Sequence, residues 1–420
     1  MGKTTVSRQN DKFLINGKLT YQEIPDSKPD VHGLLMNQRF IQGIFDHKSN
    51  RQQFARFGQD TFDPDKHTDA LIAALPEWYK FGLRAFTVGL QGGGPCFTTD
   101  ATKLDMNPFG PDGKTFDPEF ADRLDRLIRA ADDIGMVVIV SYFYWAHSQK
   151  LQNDAARAEA VKTASRFLRD GGYANVMIEI ANEYDVSGYK TSPNIFSPAG
   201  VVELTKIAQE ESGGLMVGTS GQGGSINKDI CEASDYILIH GNSCPRQRYY
   251  HLIMKAREWQ PTKPIVCNED SQALGQLDVA YKTQTSWGYY NNMTKQEPPA
   301  DWGITKGEDT FFAYRMAEGL GINIPELPEE EQYYLQGLEP EMTANGQRWI
   351  RIASLYPETI NYVDFYRNGE LIYTNYDEPF SLYFKHNWQQ GAWKIQPDDK
   401  EWKAVIHLRD GRVITKVVSV

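Results

Sequence analysis

Two glutamates that each follow an asparagine are the residues most suited to acid–base chemistry in this sequence. The stretch "NVMIEIANEYD" places Asn182 and Glu183 directly after an apolar run, and "PIVCNE" places Asn268 and Glu269 in the same way. Two carboxyl groups that converge on one bond can divide the work of cleaving it. One holds a proton for the leaving oxygen, while the other is ionised and attacks or activates water.

The runs that carry these pairs belong to a series of short apolar segments. We predict eight strands, at 39–45, 84–90, 136–144, 175–181, 214–220, 236–241, 264–269 and 283–290. Segments with helical periodicity lie between them, for example 120–135, 155–172 and 198–214, and each of these ends at glycine. Apolar strands that alternate with amphipathic helices indicate a parallel sheet covered by helices. Eight such units predict an α/β fold, a (β/α)8 TIM barrel.

A barrel of this kind collects its reactive groups at the carboxyl ends of its strands. The fourth and seventh predicted strands would therefore bring Glu183 and Glu269 to one mouth from opposite sides. Side chains alternate along a strand, so Glu179 shares the inward face with Glu183 but lies deeper. A carboxylate at that depth needs a partner, and we predict Arg84, at the start of the second strand, as one.

Polar and aromatic side chains at other predicted strand ends could bind a substrate. The candidates are Asp46 and His47 after the first strand, Gln91 after the second, Tyr144 and Trp145 after the third, and Asn242 after the sixth. Each of them could instead be an ordinary loop residue.

Composition narrows the classes of partner. The net charge is −11 and the pI is near 5.3, with basic residues thinly spread, which argues against nucleic acid or an anionic membrane as a partner. No run of about 18 apolar residues is present, so we predict no membrane insertion. The N-terminus lacks the apolar core of a signal peptide. We expect a secreted or periplasmic protein whose signal is absent from this chain, or otherwise a cytoplasmic one.

Other hydrolytic chemistries fit the sequence less well. Metal-dependent hydrolysis on the same fold usually uses paired or clustered histidines, and the eight histidines include no His-x-His pair. A serine in G-x-S-x-G context is also missing. We therefore predict no metal and no organic cofactor.

The pattern changes near residue 329. Beyond that point the sequence alternates with period two, and the ranges 362–375 and 402–420 read as hairpins around Asn-Gly and Asp-Gly turns. We predict a catalytic barrel with an N-terminal hairpin over 1–328 and an immunoglobulin-like antiparallel β-sandwich over 329–420.

Three tryptophans of the C-terminal part bear on its role. Exposed side chains at Trp388, Trp393 and Trp402 would indicate sugar binding, whereas buried ones would indicate a domain that braces the barrel. The short linker and the absence of repeats favour bracing.

On these motifs the chain resembles the clan A superfamily of retaining glycoside hydrolases, which are built on a (β/α)8 barrel. "IEIANEYD" is similar to the Asn-Glu that ends strand four in that clan, and the resemblance covers roughly residues 12–325. It implies that Glu183 is the acid/base, that Asn182 binds the sugar 2-hydroxyl, and that Glu269 is the nucleophile.

The resemblance implies two further roles. His240, at the end of strand six, would contact the nucleophile, and Trp287, after strand eight, would form the floor beneath the sugar. Tyr184 stands where proline is most frequent in the clan, which leaves the family within the clan unassigned.

The expected function is a retaining glycoside hydrolase that cleaves β-linked oligo- or polysaccharide by double displacement, with carbohydrate as its partner. A non-catalytic carbohydrate-binding barrel and a transglycosylase are the alternatives. The sequence leaves open the sugar, the linkage and endo or exo action.

Overall fold

The computed structural model describes residues 2–56, 58–94, 98–382, 384–385, 388–389 and 392–420. The chain opens with a small antiparallel sheet of β1 (Val6–Gln9), β2 (Lys12–Ile15) and β3 (Lys18–Leu19). Asn16 and Gly17 connect the last two with φ of 54° and 75°, the left-handed pair that a tight hairpin turn requires.

Eight short parallel strands, almost all of whose residues are buried, form the central layer. They are β4 (Asn37–Arg39), β5 (Ala85–Gly89), β6 (Val137–Phe143), β7 (Val176–Ala181), β8 (Met216–Gly218), β9 (Ile237–His240), β10 (Ile265–Glu269) and β11 (Gly288–Tyr289). Each lies within or overlaps a predicted strand, but β4, β8 and β11 are much shorter than predicted.

Six of these strands form one sheet in the order β11-β4-β5-β6-β7-β8, and β9 and β10 form a separate parallel pair. A few backbone hydrogen bonds link the two groups. The N–H of Asp235 donates to the carbonyl of Val217 (2.8 Å), the N–H of Cys267 donates to the carbonyl of Ser286 (2.9 Å), and the N–H of Ser286 donates to the carbonyl of Ile265 (3.2 Å). The strands thus follow one another in chain order, as a barrel requires, and the closed (β/α)8 barrel remains a prediction.

Helices connect the strands and bury one face against them. They are α1 (Pro64–Lys80), α2 (Pro118–Ile134), α3 (Trp145–Ser148), α4 (Asp154–Asp170), α5 (Pro193–Phe196), α6 (Pro198–Glu211), α7 (Lys228–Ala233), α8 (Arg246–Trp259), α9 (Leu274–Lys282), α10 (Asn292–Lys295) and α11 (Glu308–Leu320). In α2, Asp117 caps the first turn, and Gly135 ends the helix at φ 85°, the end that the sequence predicts. Within the described residues, no helix is both long and apolar enough to cross a membrane.

Antiparallel strands make up the C-terminal part. They are β12 (Tyr333–Gln336), β13 (Thr343–Ala344), β14 (Gln347–Arg348), β15 (Arg351–Ser354), β16 (Ile360–Arg367), β17 (Glu370–Asn375), β18 (Phe384–Lys385), β19 (Trp388–Gln389), β20 (Trp393–Lys394), β21 (Glu401–Leu408) and β22 (Val413–Ser419). The largest sheet has the order β17-β16-β21-β22. These strands enclose a hydrophobic cluster of their own. The domain boundary at 328/329 and the sandwich remain predictions.

The described tryptophans here pack inward. Trp402 is completely buried, and the half-buried Trp393 packs edge-on against it at 5.1 Å between ring centroids. The side chain of Trp388 lies outside the described residues. Arg351 forms a buried ion pair with Glu308 of α11, so the C-terminal strands are tied to the helical layer.

Candidate active site

The two Asn-Glu motifs meet at the carboxyl ends of their strands. Glu183 follows β7 and Glu269 ends β10. One oxygen of each carboxylate and a ring nitrogen of His240 all lie within 4.8 Å of one another. His240 Nδ1 is 3.0 Å from Glu183 Oε1 and 3.7 Å from Glu269 Oε2. The residues that the sequence singled out for chemistry therefore form one cluster.

A cavity of about 320 Å³ opens over this cluster. Six residues of its lining are among those predicted: Tyr144, Trp145, Asn182, Glu183, Asn242 and Glu269. The other lining residues were not predicted: Arg39, Gly93, Gln222, Gly223, Ser243, Tyr290 and Gln296.

Glu269 is held through both oxygens. Asn242 Nδ2 donates to Oε1 (2.7 Å), and Arg39 Nε lies 2.9 Å from Oε2. Burial raises the pKa of Glu269, and the charges of Arg39 and His240 act in the opposite direction. Burial acts to lower the pKa of the Arg39 guanidinium, but Glu269, Tyr290, Glu179 and Glu183 together outweigh it and the pKa is raised. This set of donors suits an ionised carboxylate.

His240 lies between the two acids and is completely buried. Burial lowers the pKa of the imidazole, but the carboxylates of Glu269 and Glu183 outweigh that effect and raise it above its usual value. The geometry and the charge both favour an imidazole that donates from Nδ1 to Glu183.

The backbone of Glu183 adopts φ of 52°, a left-handed conformation that non-glycine residues rarely occupy. Ser220 holds it there, since its Oγ accepts the N–H of Glu183 (3.0 Å) and its carbonyl accepts the N–H of Tyr184 (3.0 Å). The same hydroxyl donates to Glu179 Oε1 (2.6 Å). The buried Glu179 thus orients Ser220, and Ser220 positions Glu183.

The prediction that Arg84 pairs with Glu179 is wrong. Arg84 precedes β5, at the amino end of the sheet, and its Nη2 lies 3.2 Å from Glu23. Glu179 pairs in register with Ser141 and Gly218, close to the carboxyl end. Arg84 and Glu179 therefore lie near opposite ends of the parallel strands, too far along the sheet to pair.

Trp287 does not form a floor under the cavity. It is completely buried, and its Nε1 donates to Asp270 Oδ2 (2.8 Å). Trp287 precedes the two-residue strand β11, whereas Tyr290 follows that strand and lines the cavity. The guanidinium carbon of Arg39 lies 5.4 Å from the centre of the Tyr290 ring.

Asp46 also lies outside the cavity lining. Its carboxylate is completely buried and accepts hydrogen bonds from Arg51 Nε (2.9 Å) and Arg123 Nη2 (3.3 Å). Asp46 lies away from the cavity because β4, the first strand of the predicted barrel, ends at Arg39, well before Asp46. The side chain at the end of that strand is therefore Arg39. A cation at a strand end is the sequence signal that could have identified it.

Two further candidates support the site from outside it. Gln91 accepts the backbone N–H of Tyr144 (3.0 Å) and donates to Asn107 (2.8 Å). His47 Nδ1 accepts the N–H of Asp105 (3.0 Å). Neither side chain lines the cavity.

Asn182 contacts the arginine that pairs with Glu269. Its Oδ1 accepts from Arg39 Nη2 (2.6 Å), which fixes the amide orientation and leaves Nδ2 as its donor for a ligand. Asn182 and Arg39 are thereby part of one hydrogen-bonded group with Glu269.

Glu183, His240 and Glu269 present atoms close enough together to hold a divalent cation. The charge of Arg39, 2.9 Å from Glu269, opposes a cation there. The raised pKa of His240 opposes it too, because a protonated imidazole is not a ligand. The cluster is better suited to proton transfer.

No protein-family model and no curated protein matches this sequence. A predicted glycoside hydrolase from Bacteroides vulgatus matches in structure over 100% of this chain and 83% of its own, with 9% identity and a TM-score of 0.52. A second structure, named only as a glycoside hydrolase, matches over 100% and 97% with 11% identity and a TM-score of 0.50.

A variant of β-glucuronidase 2 from Bacteroides uniformis aligns with 98% of this chain at 9% identity and a TM-score of 0.42. This chain spans about half of that protein, 46% of its length. The two structures with TM-scores of 0.52 and 0.50 show that this chain shares the fold of those two proteins.

Proposed function

We propose that this chain is a retaining glycoside hydrolase that acts on β-linked oligo- or polysaccharide, with Glu183 as acid/base and Glu269 as nucleophile. The observation that carries the proposal is the separation of less than 4.8 Å between an oxygen of each carboxylate. Retaining enzymes place their carboxyl groups about 5–5.5 Å apart, whereas inverting enzymes need about 6.5–9.5 Å to admit a water.

In the first step, a carboxylate oxygen of Glu269 attacks the anomeric carbon as the glycosidic C–O bond breaks. Glu183 gives its proton to the leaving oxygen, so the leaving group departs as an alcohol and a glycosyl ester remains on Glu269. The charge of Arg39 favours the ionised nucleophile.

In the second step, Glu183, now a carboxylate, takes a proton from water while the water oxygen bonds to the anomeric carbon. The ester bond to Glu269 breaks and the sugar leaves with its original configuration. In this proposal Asn182 binds the 2-hydroxyl through Nδ2, and the lining aromatic residues Tyr144, Trp145 and Tyr290 contact the sugar rings.

The test compares Glu269→Ala and Glu183→Ala with wild type on a panel of aryl β-glycosides and polysaccharides. Glu269→Ala should abolish hydrolysis. Glu183→Ala should keep formation of the glycosyl ester from substrates with good leaving groups, because these need no proton, and azide should then accelerate release. Glu203→Ala, at an exposed position on the outer helix α6, is the matched control.

Proton NMR of the first product should show the β-anomer. Hydrolysis by Glu269→Ala at the wild-type rate would contradict the proposal, and binding of glycans without turnover would favour a non-catalytic carbohydrate-binding protein. Transfer to a second sugar in preference to water would make the chain a transglycosylase on the same site.

A further inference from the structure

We infer that the sugar bound at the cleaved bond is neutral, and that uronic acids are excluded from this position. The inference rests on the proposed function and concerns the same cavity. It arises from the cations around the cavity and from what each of them already contacts.

Arg39 is the one cationic residue among the described residues that line the cavity. Its side chain is 1% exposed. Its Nε faces Glu269 at 2.9 Å, its Nη2 donates to Asn182 at 2.6 Å, and its Nη1 is buried. A substrate carboxylate is bound best by two parallel N–H groups of a guanidinium, and Arg39 presents no such edge to the cavity.

Neither His240 nor Arg248 adds a cation to the lining. His240 is completely buried with its Nδ1 directed at Glu183. Arg248, on α8, is exposed and its guanidinium packs against Gly224, outside the cavity lining.

A uronate would therefore bring its carboxylate to a cavity in which the one lining cation of the described residues, Arg39, already pairs with Glu269. A carboxylate that gives up water without a charged hydrogen-bond partner binds more weakly, roughly ten- to a hundredfold. Neutral hydroxyls need no cation, and the lining offers Asn182 Nδ2, Gln222 Oε1 and the hydroxyl of Ser243 as uncharged partners.

The test uses the full chain and measures kcat/KM for aryl β-glucuronide and β-galacturonide against the matched neutral β-glucoside, β-galactoside, β-mannoside and β-xyloside. We expect the kcat/KM of the best neutral substrate to exceed that of either uronide by about tenfold or more. Calorimetric binding of the methyl glycosides of the same sugars gives a second readout that does not require turnover.

Turnover or binding of a uronide at least as strong as that of every neutral sugar would overturn the inference while the proposed hydrolysis stands. Absence of turnover for the whole panel would contradict the proposed function, and the binding preference would still decide the charge of the sugar. Gln222→Arg adds a cation to the lining and should lower the ratio of kcat/KM for the best neutral glycoside to kcat/KM for the uronides. Arg248→Ala should leave the ratio unchanged, and a uronide affinity lost on Arg248→Ala would also overturn the inference.

Discussion

Replacement of Ser220 by alanine should destabilise the fold and slow catalysis at the same time, because one hydroxyl serves two groups. The Oγ accepts the N–H of Glu183 at 3.0 Å and donates to Glu179 Oε1 at 2.6 Å. Glu179 is completely buried, and its Oε2 has no hydrogen-bond partner among the residues that the structure describes. Without Ser220 the carboxylate loses a charge-assisted hydrogen bond and Glu183 loses its backbone acceptor.

The magnitude follows from these two losses. A buried charged group that loses its hydrogen bond costs about 1–3 kcal/mol, and the orphaned N–H of Glu183 adds about 1 kcal/mol. The free energy of unfolding should therefore fall by about 2–4 kcal/mol. Glu183, at φ 52°, would be free to relax from its strained conformation. A displacement of about 1 Å at a catalytic group lowers kcat roughly a hundredfold.

The assay combines urea unfolding with kcat and KM on the best aryl glycoside. Glu179→Met in the Ser220→Ala background removes the buried charge, so it should recover stability without recovering kcat. Ser225→Ala, which loses a hydrogen bond to Asp185 in the same loop, is the control and should leave kcat near wild type. A Ser220→Ala variant with lowered stability and unchanged kcat would refute the positioning role.

Three further substitutions test the roles of His240, Trp287 and Arg351. His240→Gln removes a charge that lowers the pKa of Glu269, so the acidic limb of the kcat/KM profile should move to higher pH, because the nucleophile must be ionised. Trp287→Phe removes a buried N–H donor and should lower the free energy of unfolding by about 1–3 kcal/mol with KM unchanged, since Trp287 lies outside the cavity lining. Arg351→Met leaves Glu308 buried without its cation, so the free energy of unfolding, measured by thermal unfolding, should fall by about 3–5 kcal/mol. The value of kcat should stay near wild type, because Arg351 braces the C-terminal strands and does not line the cavity.

The carboxylate pair could be predicted because its signal is local. An apolar run that stops on Asn-Glu marks a strand end, and the alternation of helices and strands brings parallel strand ends together. The same reasoning is wrong at the first strand of the predicted barrel. The apolar pattern of "RFIQGIF" predicts a strand over 39–45, although the observed strand, β4, ends at Arg39. That error moved the expected site residue from Arg39 to Asp46.

The eighth strand shows the same limit. β11 has two residues, too few to show a period, so the sequence pattern points to Trp287, before the strand, rather than to Tyr290, after it. Ser220 could not be identified either, because nothing in the sequence around it indicates that a side chain from β7 needs a partner there. Whether side chains on two different strands contact each other depends on how far along its strand each one lies. The pattern of apolar residues does not show this.

Covalent trapping of the nucleophile tests the assignment of Glu269. The chain is incubated with a panel of activated 2-deoxy-2-fluoro β-glycosides, which slow release of the glycosyl ester more than its formation, and peptides are analysed by mass spectrometry. We expect one fluoroglycosyl group on the peptide that contains Glu269, and none in Glu269→Gln. A label on any other residue, or turnover with an inverted product and no label, would contradict the assignment of Glu269 as nucleophile.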